Sequence, residues 1–196
     1  MKKSNETLKT ITRGFTLIEL MVTLAVLSIV LGIGIPAFDR LVANGRLTSQ
    51  INQSIGLIAF ARSEAAKRTG TTITVCGSSD EATCNTSNWE SGWLVMNDVD
   101  GDRTIDAGDG DVLLRVGPAL SGGNTLRTLG FGNTGFVQFD DAGAPGSAGT
   151  FILCDDRGAV QAKATVLSIV GQNRAAVDED ANSIVNSHTG GDVTCP

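Results

Sequence analysis

The sequence has few of the residues from which catalytic and metal sites are built. It contains one histidine, His188, in the polar run Asn-Ser-His-Thr-Gly-Gly, and no two of its four cysteines form a C-x-x-C pair. A histidine-activated nucleophile needs a positioned third group, and a zinc cluster needs closely spaced cysteine and histidine ligands. A glycine-rich phosphate-binding loop is also absent from the sequence. These absences argue against an enzyme, and we expect a protein without a catalytic site.

Positive charge is scarce after the first 14 residues. The whole chain carries a net charge of −6, yet its start has four basic side chains against one acidic side chain: Lys2, Lys3, Lys9 and Arg13 against Glu6. The remainder of the chain is therefore more acidic than the whole. An acidic body opposes general binding to the phosphate backbone of nucleic acids, which requires clustered positive charge. Nucleic acid is accordingly not an expected partner.

Residues 15–38 lack formal charge except at Glu19. This apolar run is long enough to cross a bilayer core of ~30 Å as a helix. Because basic residues precede it, the positive-inside rule places the N-terminus in the cytoplasm and the rest of the chain outside. A secretory signal peptide would have a shorter apolar core and then a small-residue cleavage site, but Ile33, Ile35 and Pro36 continue the run. The sequence favours a membrane anchor, and an ordinary signal anchor is the alternative.

Residues 13–20 read Arg-Gly-Phe-Thr-Leu-Ile-Glu-Leu. This stretch closely resembles the prepilin signature of type IV pilins and of type II secretion pseudopilins. The resemblance implies a leader over residues 1–14, cut after Gly14 by a prepilin peptidase, and methylation of the new N-terminal Phe15. It also implies that Glu19 meets the α-amino group of Phe15 in an adjacent filament subunit. An acidic side chain in a membrane helix is costly, so a functional role is expected by default; snorkelling to the headgroups is the alternative.

The anchor and the residues after it are expected to form one helical spine. Residues 15–38 would be its transmembrane and filament-core part, and residues 39–69 an amphipathic continuation that ends at Gly70. We expect Pro36 to kink or loosen the helix, as in similar pilins. We also expect Glu64 to pair with Lys67 or Arg68 one turn later. Apolar residues recur on one face after residue 39, namely Leu47, Ile51, Ile55, Ile58 and Ala65. Polar residues expected on the other faces are Asn44, Arg46, Gln50, Gln53 and Arg62.

Residues 70–196 are expected to form a periplasmic, β-rich globular domain. Short β-like runs separated by glycine, asparagine and aspartate occur at 72–76, 92–97, 112–116, 135–139, 150–154 and 165–170, and residues 141–149 form a small-residue loop. Their spacing fits antiparallel sheets rather than βαβ units. The predicted fold class is therefore α+β and pilin-like, with a long N-terminal helix, transmembrane in its first half, packed on an antiparallel β-rich domain.

Two further stretches resemble one branch of this family, the minor pilins and pseudopilins FimT, FimU and GspH. They are Ala-Arg-Ser-Glu-Ala at 61–65 and the tryptophan-glycine stretch at 89–98, in which we expect Trp89 and Trp93 to pack in the core. The resemblance implies a structural minor pilin that primes or caps a type IV pilus. The alternative is an H-type minor pseudopilin of a type II secretion system.

The resemblance also implies partners and a location. The implied partners are other pilins or pseudopilins, the prepilin peptidase and the inner-membrane assembly platform. The implied location is the bacterial inner membrane, as a single-pass protein with its C-terminal domain in the periplasm, and afterwards the pilus or pseudopilus.

All four cysteines follow the apolar run, which fits an oxidising compartment. Four cysteines allow three pairings, and the sequence alone does not choose among them. We favour Cys76–Cys84, which closes a short loop, and Cys154–Cys195, which would hold the C-terminus. A metal site is the alternative to disulfides, but the single histidine argues against it.

An aspartate-rich run at 98–109 invites comparison with a calcium-binding loop. Its carboxylates occupy ligand positions 1, 3, 5, 9 and 12 of an EF-hand-type loop, and they are Asp98, Asp100, Asp102, Asp106 and Asp109. Arg103 stands where the turn requires glycine, and an aspartate replaces the usual bidentate glutamate. The flanking residues are predicted strands rather than helices. A solvated acidic hairpin without any cofactor is the alternative to calcium.

A last motif concerns DNA. Some members of the FimT branch bind DNA through a C-terminal glycine-arginine-x-arginine motif, and the matching residues of this chain, 171–174, read Gly-Gln-Asn-Arg. Only Arg174 keeps a basic side chain at a motif position, and an acidic stretch follows at 178–180. Because binding of phosphates requires clustered positive charge, a DNA-binding subunit for DNA uptake is only a further alternative.

Overall fold

A computed structural model of the protein describes residues 14–106, 108–132 and 135–196. The predicted leader therefore lies outside the described residues, except for Gly14. The chain divides into two compact units, Met1–Val42 and Ala43–Pro196. The first contributes a stretch of apolar helix, and the second contains every strand of the described residues.

One helix, α1, covers Leu17–Ala65 and contributes to both units. After Ala65 the backbone N–H groups of Lys67 and Arg68 donate to carbonyls three residues back instead of four. This tightening of the last turn ends the helix before the predicted boundary at residue 69. The carboxylate of Glu64 accepts hydrogen bonds from Lys67 at 2.6 Å and Arg68 at 3.2 Å, so the predicted pairing is confirmed.

The first unit holds the most apolar part of α1. Every large apolar side chain between Phe15 and Val42 is at least 42% exposed. Of the helices that the structure describes, α1 alone is long and apolar enough to cross a membrane, judged by length and composition. A helix that is apolar on all sides needs an apolar environment, either lipid or other helices. The helix is unbroken at Pro36, and loosening of this site within a filament stays a prediction.

In the second unit, α1 buries one face against the strands. Its buried residues are Leu47, Gln50, Ile51, Ser54, Leu57, Ile58, Ala61 and Ala65. The predicted apolar face is confirmed, with Ile55 half-buried at its margin. The prediction that Gln50 lies on a polar face is wrong. This side chain is only 5% exposed because residues distant in the sequence supply hydrogen bonds to it.

The strands form two antiparallel sheets in the described residues. The strands are β1 (Thr72–Gly77), β2 (Trp93–Asp98), β3 (Val112–Gly117), β4 (Thr125–Gly130), β5 (Phe136–Phe139), β6 (Gly149–Cys154), β7 (Lys163–Leu167) and β8 (Asn173–Ala175). The first sheet has the order β3-β2-β1-β5, and the second has the order β4-β6-β7-β8. Two short 3₁₀ helices, Trp89–Ser91 and Ala159–Gln161, lie between strands. The α+β fold class predicted from the sequence is confirmed.

The six predicted strands are all present, and two more were not predicted. Strand β7 ends earlier than expected because the N–H of Gly171 donates to the carbonyl of Ser168 at 2.9 Å, which closes a turn. The missed strands, β4 and β8, carry weak signals. Strand β4 alternates in burial but mixes Thr, Leu and Arg, and β8 has only three residues.

The main core lies between α1 and the sheets. Trp89 is fully buried, and its ring meets Phe151 edge-on with ring centroids 5.2 Å apart. The ring of Phe131 also packs against Phe151, with ring centroids 5.3 Å apart, and the half-buried Trp93 packs against the same core. Both tryptophans therefore pack in the core, as predicted from the sequence. Truncating such a buried aromatic to alanine costs about 3–5 kcal/mol of stability.

Candidate functional site

The start of α1 carries the residues on which the pilin resemblance depends. The hydroxyl oxygen of Thr16 accepts a hydrogen bond from the backbone N–H of Glu19 at 3.2 Å. This arrangement caps the helix, and the pair Thr16 and Glu19 has the spacing of a capping box. Thr16 was not among the residues predicted to have a role, although its spacing to Glu19 is a recognisable signal of a helix cap. The cap fixes Glu19 in the first turn, where the helix dipole favours a negative charge.

The carboxylate of Glu19 has no polar partner within the residues that the structure describes. The side chains around it are apolar and largely exposed, with Phe15 at 84%, Leu17 at 76% and Ile18 at 66%. A carboxylate in an apolar environment is costly unless a cation or a hydrogen-bond donor accompanies it. The geometry therefore suits an acidic group that takes a positively charged partner from another molecule. Gly14 and Phe15, which flank the predicted cleavage point, are both exposed.

Two disulfides fix loops of the second unit. The structure joins Cys76 to Cys84 and Cys154 to Cys195, the two pairings favoured from the sequence. The first disulfide joins the end of β1 to the loop that follows it, and the second attaches the C-terminal segment to β6. No cysteine is left free.

The short disulfide loop is organised around the carboxylate of Asp80. The hydroxyl of Thr83 donates to it at 2.7 Å, and the backbone N–H groups of Ala82 and Thr83 donate at 3.0 and 2.9 Å. These hydrogen bonds, first that from the Thr83 hydroxyl, hold the pKa of Asp80 well below its usual range. The carboxylate therefore acts as the acceptor that shapes this loop.

The acidic loop between β2 and β3 differs from the predicted ligand set. Four residues place carboxylate oxygens within 4.8 Å of one another, and they are Asp98, Asp100, Asp102 and Asp111. Three of the five predicted residues belong to this cluster, whereas Asp106 and Asp109 do not. Asp111 was not predicted because it does not stand at an EF-hand ligand position. It joins the cluster because β3 returns antiparallel to β2 and brings Asp111, the residue before β3, back to the start of the loop.

The carboxylates of this cluster already accept hydrogen bonds from the protein. Asp98 is fully buried and accepts from the Thr74 hydroxyl at 2.6 Å, the Gly101 N–H at 2.8 Å and the Gln138 amide at 3.4 Å. The carboxylate of Asp111 accepts from the N–H of Val99 at 2.8 Å. These hydrogen bonds join the cluster to the backbone of its own loop and to neighbouring strands.

Negative charge is concentrated beside the cluster. The pKa of the Asp109 carboxyl is raised, first by repulsion from Asp106 and then by repulsion from Asp100. Asp109 is exposed and its backbone N–H donates to Asp106 at 3.2 Å. The loop therefore presents a predominantly acidic surface.

The residues that correspond to the DNA-binding motif span the turn before β8 and the first two residues of that strand. Arg174 is exposed, and its guanidinium lies 3.7 Å from the carboxylate of Glu179. Gln172 is also exposed and carries no charge. The one basic residue of this motif thus faces an acidic residue of its own chain.

Two families match the sequence. Residues 50–171 match the family described as type II transport protein GspH. Residues 11–35 match the prokaryotic N-terminal methylation motif, which covers Gly14, Phe15 and Glu19. No curated protein matches the chain.

Solved structures show a similar fold. A crystal structure of the type IV minor pilin FimU of Pseudomonas aeruginosa strain PAO1, in space group P21, aligns with a TM-score of 0.51 at 16% identity. The alignment covers 70% of this chain and 92% of FimU. A second FimU crystal form, in space group P65, gives a TM-score of 0.49 at 16% identity over 66% of this chain and 92% of FimU.

Proposed function

Because this chain belongs to the GspH family of type II transport proteins, and carries the N-terminal methylation motif of pilins, we propose that it is a structural minor pilin that primes or caps a type IV pilus. In this role the chain acts by packing into a filament, not by catalysis. Its apolar helix supplies the contact with other subunits, and its β-rich unit supplies the surface that selects neighbours.

The observation that carries this proposal is the environment of Glu19. It is the single charged residue in an exposed apolar stretch of about two dozen residues, held in the first helical turn and without a partner in the described chain. A newly exposed α-amino group on Phe15 of a neighbouring subunit is a cation of the right kind. Pairing the two would neutralise the carboxylate and fix the axial position of the incoming helix.

The proposal includes the processing that the motif requires. A prepilin peptidase would cleave after Gly14 and methylate Phe15, and the chain would wait in the bacterial inner membrane with its C-terminal unit in the periplasm. An inner-membrane assembly platform would then transfer it into the filament. The exposed Gly14 and Phe15, and the apolar helix that follows them, support this sequence of events.

Replacing Glu19 with alanine tests the role of the carboxylate. Charge-assisted hydrogen bonds are worth about 1.5–3 kcal/mol, so incorporation into sheared filaments should fall by roughly 10- to 100-fold. Membrane insertion of the Glu19→Ala variant should be unchanged, because the substitution removes a polar group from the apolar run. Immunoblots of the membrane and filament fractions measure both quantities.

The matched control is Thr23→Ala, one turn further along the same helix. The Thr23 hydroxyl donates to the carbonyl of Leu20 at 2.8 Å within the helix, so its loss should leave incorporation unchanged. Normal incorporation of Glu19→Ala, or an equal loss in Thr23→Ala, would contradict the proposed role of Glu19.

The second candidate function is that of an H-type minor pseudopilin in a type II secretion system. The match to the GspH family over residues 50–171 favours it, and the processing and helix packing would be the same. The two functions differ in which machine fails without the protein. DNA binding is the remaining alternative, and the proximity of Arg174 to Glu179 speaks against it; retention of DNA in a low-salt gel shift would reinstate it.

A further inference from the structure

Among the residues that the structure describes, one sheet edge has no segment of the chain beside it. An edge strand presents unpaired N–H and C=O groups, which proteins usually cover, shorten or protect with charge. The two sheets have four edge strands, β3, β5, β4 and β8.

Three of these edges are covered or short within the described residues. Beside β5, Phe139 forms an isolated antiparallel bridge with Pro145. Beside β4, the N–H of Leu126 donates to the carboxylate of Glu90 at 3.3 Å. Strand β8 has only three residues. Each of these strands is therefore either very short or has part of its edge occupied by another segment of the chain.

Strand β3 is the exception. In the part of the chain that the structure describes, its backbone pairs with β2 alone, and a register shift between Val95 and Met96 leaves Leu114 as an extra residue in an otherwise paired strand. Val112 is 47% exposed, Leu113 41% and Val116 39%. The one charged residue of the strand, Arg115, folds back over the ring of Phe60 at 5.4 Å. The edge thus has neither a covering segment nor a charge directed outward along it.

The apolar residues of β3 continue a buried row of the sheet. Leu113 pairs with Met96 and Val116 pairs with Leu94, and both β2 partners are fully buried. Paired residues on neighbouring strands lie on the same face. The row therefore runs from β2 onto β3 and stops at solvent. One more strand beside β3 would bury Leu113 and Val116 and satisfy the open backbone groups.

The charge next to this edge indicates what such a strand would carry. The loop that leads into β3 ends in Asp106, Asp109 and Asp111, and crowding of carboxylates there raises the pKa of Asp109. One end of an added strand would lie beside this loop. Lysine or arginine at that end would be attracted to it, whereas an acidic end would be repelled.

We propose that the open edge of β3 docks an extended segment of a neighbouring filament subunit, with aliphatic side chains at alternate positions and a lysine or arginine at the end beside the acidic loop. This inference rests on the proposed function, because the partner is another subunit of the same filament. Backbone pairing supplies a generic attraction, and the row ending in Leu113 and Val116 together with the acidic loop selects the partner.

Site-specific photo-crosslinking of the full-length protein in its host tests the docking edge. A photoreactive amino acid is placed at position 116, and the matched control carries it at position 160, where Val160 is 56% exposed in the 3₁₀ helix Ala159–Gln161. We expect position 116 to crosslink to a second, pilin-like subunit that mass spectrometry identifies, and position 160 not to do so. Crosslinking only to another copy of this chain, equal crosslinking at both positions, or none at position 116 would overturn the inference.

A charge placed on the edge gives an independent readout. Val116→Lys should lower incorporation into filaments roughly tenfold or more, as loss of a central interface contact does, while the melting temperature stays within the range of Val160→Lys. Glu19→Ala is measured in the same assay. If Glu19→Ala lowers incorporation and Val116→Lys does not, the edge inference is wrong and the proposed function stands. If neither variant lowers incorporation, both are wrong.

Discussion

Individual carboxylates have different roles in this protein, depending on the groups that surround them. Glu19 lies in an apolar helix without a polar partner among the described residues, whereas Asp98 is fully buried with three donors directed at it. Asp109 is exposed among other acids that raise its pKa. A carboxylate with internal donors stabilises the fold, and one without them is available to another molecule.

Removing the Asp98 carboxylate should destabilise the second unit. In Asp98→Ala, the fully buried hydroxyl of Thr74 loses the carboxylate that accepts its hydrogen bond, which costs about 1–3 kcal/mol for a buried polar group. For a protein of this size the melting temperature should fall by about 2–4 °C for each kcal/mol. Thermal unfolding monitored by circular dichroism provides the measurement.

Asp109→Asn is the control for that experiment. It removes a negative charge from the same loop, and the main effect of that charge is repulsion with Asp106 and Asp100. Its melting temperature should be equal to or above that of the wild type near neutral pH. A larger loss in Asp109→Asn than in Asp98→Ala would contradict the assignment of Asp98 as the structural carboxylate.

The same loop gives a prediction about calcium. The four clustered carboxylates already accept hydrogen bonds from backbone N–H groups of the loop. We therefore expect the loop to fold without a cation and the melting temperature to be the same in calcium as in a chelator. A rise in melting temperature with calcium that is lost in Asp100→Asn would establish a calcium site formed by Asp98, Asp100, Asp102 and Asp111 instead.

At the scale of elements, α1 shows what a sequence pattern predicts and what it omits. The apolar period predicted the face that contains Leu47, Ile51 and Ile58, because burial of apolar side chains follows from local spacing alone. It did not predict burial of Gln50. The partners of that residue, the carbonyl of Ser121 and the amide of Asn124, lie more than 70 residues away and come close only after folding.

Gln50 therefore offers a test of the interface between α1 and the sheets. In Gln50→Ala, the side-chain amide of Asn124 loses its acceptor and stays buried, so stability should fall by about 1–3 kcal/mol. Gln53→Ala, one turn away at an exposed position, should change stability by less than about 0.5 kcal/mol. Equal effects in urea unfolding would contradict the buried hydrogen bonds of Gln50.

Among the strands, those with strong local sequence signals were predicted and those that depend on distant pairing were not. Runs rich in Val, Ile, Thr and Phe and bounded by turn residues predicted six strands, because those signals are local. Strand β4 was missed because its stability comes from pairing with β6, and β8 because three residues carry too little pattern. In the acidic loop, Asp111 was missed for the same reason, since the antiparallel return of β3 places it next to Asp98.

At the scale of the whole molecule, the disulfides connect distant parts of the second unit. Cys154–Cys195 closes a separation of 41 residues, whereas Cys76–Cys84 closes one of 8. Because the longer loop restricts the unfolded chain more, its loss should cost about 4 kcal/mol and loss of the shorter one about 2.5 kcal/mol. Chemical unfolding of Cys154→Ser/Cys195→Ser and Cys76→Ser/Cys84→Ser measures both, and a reversed order would contradict the entropic account.

The organisation of the whole chain was largely predictable from the sequence because its strongest features are one-dimensional. A signature at 13–20, one apolar run and a change to turn-rich sequence after residue 70 define the anchor and the β-rich unit. Which edge of which sheet stays open, by contrast, depends on strand order, which is a property of the folded chain alone.

The most direct test of the central claim is a clean deletion of this gene in its native host, with surface pili counted and secreted protein measured in the same cultures. A minor pilin that primes or caps the pilus predicts loss of pili with normal secretion, restored by the wild-type gene and not by Glu19→Ala. Normal pili with blocked secretion would contradict the pilus assignment and would instead identify the protein as a subunit of the secretion pseudopilus.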